Sequence, residues 1–352
     1  MRYYWILVII YLFFLKFIFR DIKNDKRRQR NFIILALLPI FFLMAFRNPY
    51  SYTGDVYNYH RYFMNVGKNK WANIFSLIDR FEVGYVVLNK ILYTICPWDQ
   101  AIIVFEAAFC LISVGIFIYR NTDQPFYSIL AYMSLGIMNM QMTGFRQGLA
   151  ISMLMYSVEF IKRKKVVRFA IIVVLAALFH KTSIIFLFAY FVLNRKLSLP
   201  WQIVLAGFTV AAGYFMGIIL EFSIDFFELD EYSLGYRGSA FGGIVMIFFF
   251  ISVLIISFIN NNRKTKKENY LFLNMTEVGV FIYILRYIAL SMERISLYFS
   301  FGFINALPNT LDEVENLTVR DLLKIAYSLV MSMYLIYTAS YSPWGKFVPF
   351  WK

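Results

Sequence analysis

The chain alternates long apolar runs with short polar breaks along its whole length. Most runs cover roughly 15–20 residues, close to the length that an α-helix needs to cross a bilayer. Helices are the expected structure because backbone polar groups in lipid must be satisfied within the segment. The pattern predicts an all-α, polytopic helical membrane protein with about 11–12 membrane segments.

Lysine and arginine concentrate in the breaks between apolar runs, and such residues favour the cytoplasmic side of a membrane. The clusters lie at 20–30, 162–168, 195–196 and 263–267. Placing them all inside puts the N-terminus and the aromatic stretch at 47–80 outside, and it predicts a second outer loop at 221–239. Without a linker or a composition shift, residues 1–352 are expected to form a single transmembrane domain.

The apolar run at 83–96 is short and is interrupted by Lys90. The topology requires an odd number of crossings between the first outer loop and the basic cluster at 162–168. The run at 83–96 is therefore predicted to be an interfacial or half-depth helix.

A second apolar run begins and ends at basic clusters, and His180 and Lys181 lie in its middle. Both ends are cytoplasmic in this topology, so the run must turn back. It is predicted to form a broken hairpin of two short helices, at 166–179 and 182–193, with His180 at the outer tip. Irregular backbone at membrane depth is tolerated where it lines a wet cavity.

Composition supports this class, because 60% of the residues are hydrophobic, 20% are aromatic and only 16% are charged. A soluble domain has about 25% charged residues. The net charge of +14 resides mainly in short loops, which favours a topology signal over nucleic-acid binding. The cysteines Cys96 and Cys110 lie in apolar runs without a CxxC pair, so they are expected to be buried thiols.

Several charged residues interrupt the apolar sequence, where a charge costs roughly 3 kcal/mol and usually marks function. The topology places seven of these residues at the outer leaflet: Arg47, Asp55, Arg146, His180, Lys181, Glu293 and Arg294. Helices beginning near Arg146, Thr182 and Arg294 would direct their N-termini at one cavity. Arginines and helix N-termini together predict an anion site. Gly144 and Gly148 would allow close backbone approach beside Arg146.

Five of these residues also have a structural explanation. Arg146 could snorkel to the interface, Arg47 could anchor a helix end, and His180 could be satisfied within the hairpin. Asp55 could cap a turn. Glu293 could serve no purpose beyond an ion pair with a neighbouring arginine.

Five short motifs occur in order along the chain. They are Phe46-Arg47 with Gly54-Asp55 and Tyr59, Phe81-Glu82-Val83-Gly84-Tyr85, Phe145-Arg146-Gln147, Phe179-His180-Lys181-Thr182-Ser183 and Glu293-Arg294. With them the chain resembles the EpsG family of bacterial polysaccharide-biosynthesis membrane proteins, which is related to Wzy-type polymerases. Val83 stands where that family often has proline.

The resemblance implies a GT-C-like fold and a polymerase in the bacterial cytoplasmic membrane. Such a protein would join oligosaccharide repeat units carried on undecaprenyl diphosphate, at the outer face, for an exopolysaccharide, capsule or O-antigen. Its glycosyl transfer would be inverting and would need neither a metal nor a cofactor. Its further partners would be membrane lipid, a chain-length regulator and a flippase. The sequence contains no Gly-rich nucleotide loop and no Asp-x-Asp pair.

The roles follow from the chemistry of a departing diphosphate. Arg146 and Arg294 are assigned to the diphosphate with support from Arg47, and His180 or Asp55 is the base. Arg146 also counts as catalytic. The supporting residues are Gln147, Lys181, Glu293, Tyr59 and Glu82.

Two other functions remain open. A lipid-linked-sugar ligase or a single-step glycosyltransferase needs the same donor site, so the sequence does not separate either from a polymerase. A flippase or transporter should show paired half-repeats and polar groups at the midplane, and the sequence shows neither.

Overall fold

The computed structural model describes residues 3–20, 22–50, 55–193, 199–216, 218, 240–260, 267–341 and 346–351. Within these ranges the chain forms sixteen α-helices and three 3₁₀-helices, and no β-strand. The predicted outer loop at 221–239 lies outside the described residues, as do the basic cluster at 195–196 and most of the one at 263–267.

The first eight α-helices are α1 Tyr3–Ile18, α2 Lys26–Ala45, α3 Val56–Lys68, α4 Val83–Ile95, α5 Ala101–Asn121, α6 Pro125–Ser134, α7 Ile137–Thr143 and α8 Phe145–Lys162. The next eight are α9 Val166–Ala177, α10 Ala189–Leu193, α11 Leu199–Tyr214, α12 Ala240–Asn260, α13 Lys267–Ile284, α14 Ser291–Ser300, α15 Phe303–Asp312 and α16 Leu317–Tyr341. The 3₁₀-helices cover Trp71–Arg80, Lys181–Phe188 and Leu285–Tyr287.

Four of the described helices are long and apolar enough to cross a membrane: α2, α5, the part of α12 at Gly242–Asn260, and α16. Shorter helices in sequence make up other apolar stretches. The run at 126–143 is divided into α6 and α7 at Gly136, whose φ of 81° lies in the left-handed region that favours glycine. The run at 295–307 is likewise divided between α14 and α15. The architecture confirms an all-α, polytopic helical membrane protein.

Helix α4 has 13 residues, fewer than the roughly 20 that cross a bilayer, and fits the predicted half-depth helix. Its Lys90 is buried against the C-terminal end of α3. The Lys90 ammonium donates to the carbonyl oxygens of Gly67 at 2.8 Å and Asn69 at 2.5 Å. A cation at a helix C-terminus satisfies carbonyl groups that have no intrahelical donor, which explains a lysine within this apolar run.

The hairpin is confirmed, with one arm built differently from the prediction. The first arm is α9, the chain breaks at 178–180, and α9 packs along the second arm. That arm is mainly the 3₁₀-helix Lys181–Phe188, followed by the short α10, rather than one α-helix.

The stretch at 47–80, predicted as a loop, is largely helical. It contains α3 and the 3₁₀-helix Trp71–Arg80. The amphipathic face of α3 buries Tyr59 and Phe63, and α3 packs against α4 and α5. The stretch therefore caps the bundle as a packed layer.

The two ends of the bundle differ in chemistry. At one end, which we call the basic end, polar contacts join four connections between helices. These contacts are Lys23 Nζ to Asp312 Oδ2 at 2.6 Å, Lys26 Nζ to Asp123 Oδ1 at 2.9 Å, and Lys162 Nζ to Asn121 Oδ1. The basic clusters at 20–30 and 162–168, which the topology predicted on one side, therefore lie at the same end of the bundle.

The opposite end, which we call the aromatic end, joins the end of α2, the start of α5 and the C-terminal tail. The Gln100 side-chain amide donates to the carbonyl oxygens of Ala45 at 2.8 Å and Arg47 at 2.7 Å. The backbone N–H of Phe350 donates to Phe46 at 2.9 Å, and the two phenyl rings lie 5.8 Å apart.

Candidate functional site

Glu82, immediately before α4, holds three segments of the chain together. Its Oε2 accepts from Arg146 Nη1 at 2.6 Å. Its Oε1 accepts from the backbone N–H of Lys181 at 3.1 Å and lies 3.3 Å from His180 Nδ1. The carboxylate therefore connects α4, the first turn of α8 and the break in the hairpin.

Gly84 makes this contact possible by bringing α4 against the hairpin. Its N–H donates to the carbonyl oxygen of Leu178 at 2.8 Å, and a Cβ at position 84 would lie 2.7 Å from that oxygen. Only glycine allows so close an approach. Val83 occupies the first helical position, where proline is favoured because its missing N–H is not needed, so α4 starts there with valine as well.

The first turn of α8 presents Arg146 at the surface of this cluster. The Arg146 side chain is 24% exposed, and its guanidinium lies 4.6 Å from the centre of the Phe81 ring and interacts with Tyr59. The neighbouring glycines serve packing within the protein. A Cβ at Gly144 would lie 2.6 Å from Met140 Sδ, and one at Gly148 would lie 2.8 Å from Gln141 Cα.

Arg294 approaches the cluster from α14. The Gln147 side-chain amide donates to the Arg294 carbonyl oxygen at 2.7 Å, which ties α8 to α14. The Arg294 side chain is exposed, and its charge interacts with His180 and Tyr59. It forms no ion pair with any residue that the structure describes. A cation at this position can bind an anion from outside the protein.

His180 stands at the break of the hairpin with its side chain 21% exposed. The following Lys181 side chain is exposed, and the Thr182 hydroxyl lies 2.8 Å from the hydroxyl of Tyr298 on α14. The break is thus fixed by Glu82 on one side and by α14 on the other, while the imidazole reaches the surface.

Asp55 precedes α3, is exposed and makes no side-chain cap hydrogen bond. The turn before it, at 51–54, lies outside the described residues, so the explanation that Asp55 caps a turn stays a prediction. The Asp55 charge interacts with Tyr59, which is buried and stacks on Phe145 with ring centres 4.9 Å apart. Gly54, which precedes Asp55 in the motif, lies outside the described residues.

The EpsG family model matches residues 30–350, which is nearly the whole chain and includes every residue of this cluster. The chain belongs to the EpsG family. Membership supports a polysaccharide-polymerase-like membrane protein. No curated protein and no solved structure matches the chain significantly. The GT-C likeness of this EpsG-family protein therefore stays a prediction.

Two of the predicted site residues of this EpsG-family protein lie outside the cluster. Arg47 is only 1% exposed, and its guanidinium lies behind Phe145, 5.5 Å from the ring centre. It has no surface for a phosphate. Glu293 pairs with Arg286 at 3.0 Å, so the structural explanation for Glu293 is the one that the structure supports.

The charge of Glu82, which lies outside the membrane-spanning helices, is held by its neighbours. Burial alone would raise the pKa of Glu82, but the adjacent His180 and the positive charge of Arg146 lower it to about 2. The carboxylate is therefore ionised at neutral pH, and it neutralises much of the Arg146 charge.

Metal ligands do not cluster in the described part of the chain. No group of three or more His, Cys, Asp or Glu side chains that could hold a metal ion occurs there. Cys96 and Cys110 are free thiols; Cys110 is buried, as predicted, whereas Cys96 is only half-buried because it ends α4 near the surface.

Sequence reasoning placed Glu82 only among supporting residues, although it lies at the centre of the cluster. One signal could have found it: a lone acid between an aromatic residue and an apolar run that continues with Gly84. Its partner Arg146 is 64 residues away, so pairing could not be read from local pattern.

Proposed function

We propose that this EpsG-family protein is a glycosyltransferase that polymerises oligosaccharide repeat units carried on undecaprenyl diphosphate. One observation supports it most: Glu82, Arg146 and His180 meet at one end of a helical membrane bundle, with the exposed Arg294 beside them. This combination offers a base and a cation for transfer from a lipid diphosphate.

His180 is proposed as the general base, in preference to Asp55. His180 Nδ1 lies 3.3 Å from Oε1 of the ionised Glu82, and a proton placed on Nδ1 by that charge would leave the lone pair of Nε2 for the hydroxyl of the acceptor sugar. A carboxylate that fixes the tautomer of a histidine acts in this way in the Ser-His-Asp triad of acyl transfer. Asp55 has no such partner within the described residues.

The departing diphosphate is assigned to Arg294 first, because Arg294 is exposed and forms no ion pair within the described part of the chain. Arg146 contributes through the edge of its guanidinium that faces away from Glu82, and Lys181 lies next to the base. Arginine suits phosphate through its planar set of donors.

The proposed reaction is a single displacement. The acceptor hydroxyl oxygen attacks the anomeric carbon of the lipid-linked sugar while its proton passes to His180 Nε2. The bond from the anomeric carbon to the phosphate oxygen breaks, and undecaprenyl diphosphate leaves with the bonding pair. Attack from the opposite face inverts the anomeric centre.

The site is proposed to face the outside of the cytoplasmic membrane. The basic end carries the predicted cytoplasmic connections, and the cluster lies at the aromatic end near Arg47. Basic residues favour the cytoplasmic side, so the cluster faces the compartment where repeat units are polymerised.

The test is polymerisation by purified protein in lipid nanodiscs with a lipid-diphosphate repeat unit as the only substrate. Wild type should yield a ladder of chain lengths, whereas a ligase or single-step enzyme should yield one product and a transporter none. His180→Ala should reduce the rate by about 10²–10⁴-fold, the usual contribution of a general base.

The matched control is His60→Gln, because His60 is the other histidine of the chain and lies outside the cluster. His60→Gln should keep the ladder at near the wild-type rate. A ladder of unchanged intensity with His180→Ala would remove the histidine from the mechanism.

A further inference from the structure

A cleft opens between α5 and α8 at the basic end of the bundle, away from the cluster around Glu82. Its volume is about 240 Å³, part of which is open to the surrounding medium. Five residues of α5 and three of α8 line it, and the proposed reaction uses none of them. The cleft lies beside the contact of Lys162 with Asn121, which belongs to the basic end.

The mouth of the cleft carries positive charge. The side chain of Arg120 is exposed and forms no ion pair with any residue that the structure describes. Among the described residues that line the cleft the one acid is Glu159, and its Oε1 lies 2.7 Å from Nε of Arg163 on the next turn of α8. Lys162 lies beside the cleft and donates to the neutral amide oxygen of Asn121. Three basic groups against one acid leave a formal surplus of positive charge for a ligand.

The cleft changes from charged to apolar along its length. Arg120 lies one residue before the end of α5, and Ser113 lies about 10 Å deeper along the helix axis. Because α5 is long and apolar enough to cross a membrane, Arg120 falls near the head groups and Ser113 within the hydrocarbon. Ile116 and Met155 supply apolar walls between them. Ile112, which is 58% exposed, continues the face of Ile116 and Arg120 at four-residue spacing. This gradient suits an amphipathic ligand better than a free anion.

A hydroxyl group lies between the charged mouth and the apolar depth. The Tyr156 hydroxyl lies 3.2 Å from Ser113 Oγ, its one partner among the described residues. Ser113 Oγ in turn donates to the carbonyl oxygen of Phe109 at 2.7 Å. A phenol offers one donor and two acceptor sites, so Tyr156 retains hydrogen-bonding capacity for a ligand.

Contacts with other helices fix the walls of the cleft. The Phe117 ring centre lies 5.8 Å from that of Phe272 and 5.4 Å from that of Phe301. The Asn309 side chain donates to the carbonyl oxygen of Asn121 at 3.0 Å, which holds the end of α5. A site formed before the ligand arrives loses less freedom on binding.

We propose that this cleft binds the head group of an anionic phospholipid. Arg120 would contact the phosphate, Tyr156 the glycerol or ester oxygens, and an acyl chain would lie along Ile112 and Ile116. Basic pockets between membrane helices on the cytoplasmic side bind anionic head groups by this chemistry. The sequence-based topology places the basic end in that leaflet. This lipid site is independent of the polymerase reaction.

Native mass spectrometry of the whole protein, released from detergent, tests the site with phosphatidylglycerol and with phosphatidylcholine of the same acyl chains. Wild type should bind phosphatidylglycerol about fivefold or more tightly, because each basic residue near a head group favours net negative charge. Arg120→Ala should lower the phosphatidylglycerol affinity by about tenfold, the effect of one charge-assisted contact. Equal affinity of wild type for the two lipids would overturn the proposal.

The matched control is Arg168→Ala, because Arg168 is an exposed arginine of α9 that does not line the cleft. It should keep the wild-type affinity for phosphatidylglycerol, and a loss equal to that of Arg120→Ala would overturn the site.

Two further measurements separate the cleft from general attraction between charges. Ile116→Trp fills the cleft without changing any charge, so it should also lower the affinity for phosphatidylglycerol. An unchanged affinity would place the lipid elsewhere and overturn the proposal. Inorganic phosphate in large excess should leave the lipid bound, whereas displacement by phosphate would show a site for free anions and overturn the lipid assignment.

Discussion

The basic end and the aromatic end of the bundle differ in how fully their charges are compensated. At the basic end Lys23, Lys26 and Lys324 each have a carboxylate partner on another connection. At the aromatic end, orphan polar atoms remain on the buried Arg47 and Glu106, and Arg146 Nε has no partner among the described residues.

The difference separates two uses of charge. Exposed and half-exposed pairs contribute about 0–1 kcal/mol each and mainly fix how connections meet. Buried polar groups without full compensation are unfavourable and persist mainly at functional sites. The contrast predicts that substitutions of charged residues at the aromatic end lower the polymerisation rate. Such substitutions at the basic end should lower stability slightly and leave the rate unchanged.

The largest expected effect is that of Glu82→Gln. The amide keeps the volume of the side chain but loses the charge that holds Arg146 and orients His180. The polymerisation rate should fall by about 10²–10⁴-fold, comparable to loss of the base. The ladder assay measures it, with Glu293→Gln as control, because Glu293 pairs with Arg286 away from His180. Equal losses of polymerisation rate in Glu82→Gln and Glu293→Gln would contradict a special role for Glu82 in the reaction.

Gly84→Ala should have the next largest effect. The new Cβ would lie 2.7 Å from the Leu178 carbonyl oxygen, so α4 must move away from the hairpin. Such overpacking typically destabilises by about 1–3 kcal/mol, and Glu82 would move with α4. Both Tm and the polymerisation rate should fall.

The control for that substitution is Gly207→Ala on α11, where an added Cβ meets no atom within 4 Å. In a helix interior this change should stabilise by about 0.5–1 kcal/mol. A fall of Tm for Gly207→Ala as large as for Gly84→Ala would show that the Leu178 contact is unimportant.

Arg294→Ala should have a smaller effect, directed at substrate binding. The exposed guanidinium is the first candidate for the diphosphate, and loss of one charge-assisted contact of about 1.5–3 kcal/mol should raise KM for the donor by about 10–100-fold. Arg294→Lys should recover part of that loss, because it keeps the charge but not the planar set of donors. An unchanged KM with Arg294→Ala would exclude Arg294 from the donor site.

The smallest effect is expected for Lys23→Ala at the basic end. Its side chain is 51% exposed, so the ion pair with Asp312 should contribute about 0–1 kcal/mol. Tm should change by a few degrees at most, and the polymerisation rate should not change. A marked loss of polymerisation would contradict the functional separation of the two ends.

Much of the architecture followed from pattern alone. Runs of bilayer length marked the helices, and the even number of crossings between basic clusters required the hairpin break at His180. The stretch at 47–80 contains the helix breakers Pro49 and Gly54, which suggested a loop throughout. Both residues precede α3, which begins at Val56 and packs its amphipathic face on α4 and α5. The breakers therefore end helical structure before position 56 and say nothing about the residues beyond it.

The site was predicted less completely than the fold. Arg146, His180 and Arg294 were expected to converge; the structure joins Arg146 and His180 through Glu82, and Gln147 ties Arg294 to α8 beside them. Arg47 was expected at the same surface, because its sequence position does not reveal that Phe145 covers it.

The sequence by itself determined where helices form and which breaks carry the basic residues, because hydrophobicity and charge act locally along the chain. Only the tertiary structure decided that Glu82 meets both Arg146 and the N–H of Lys181, which are 64 and 99 residues away. That choice depends on the close approach of α4 to the hairpin at Gly84, and such packing involves contacts between distant segments that no local pattern encodes.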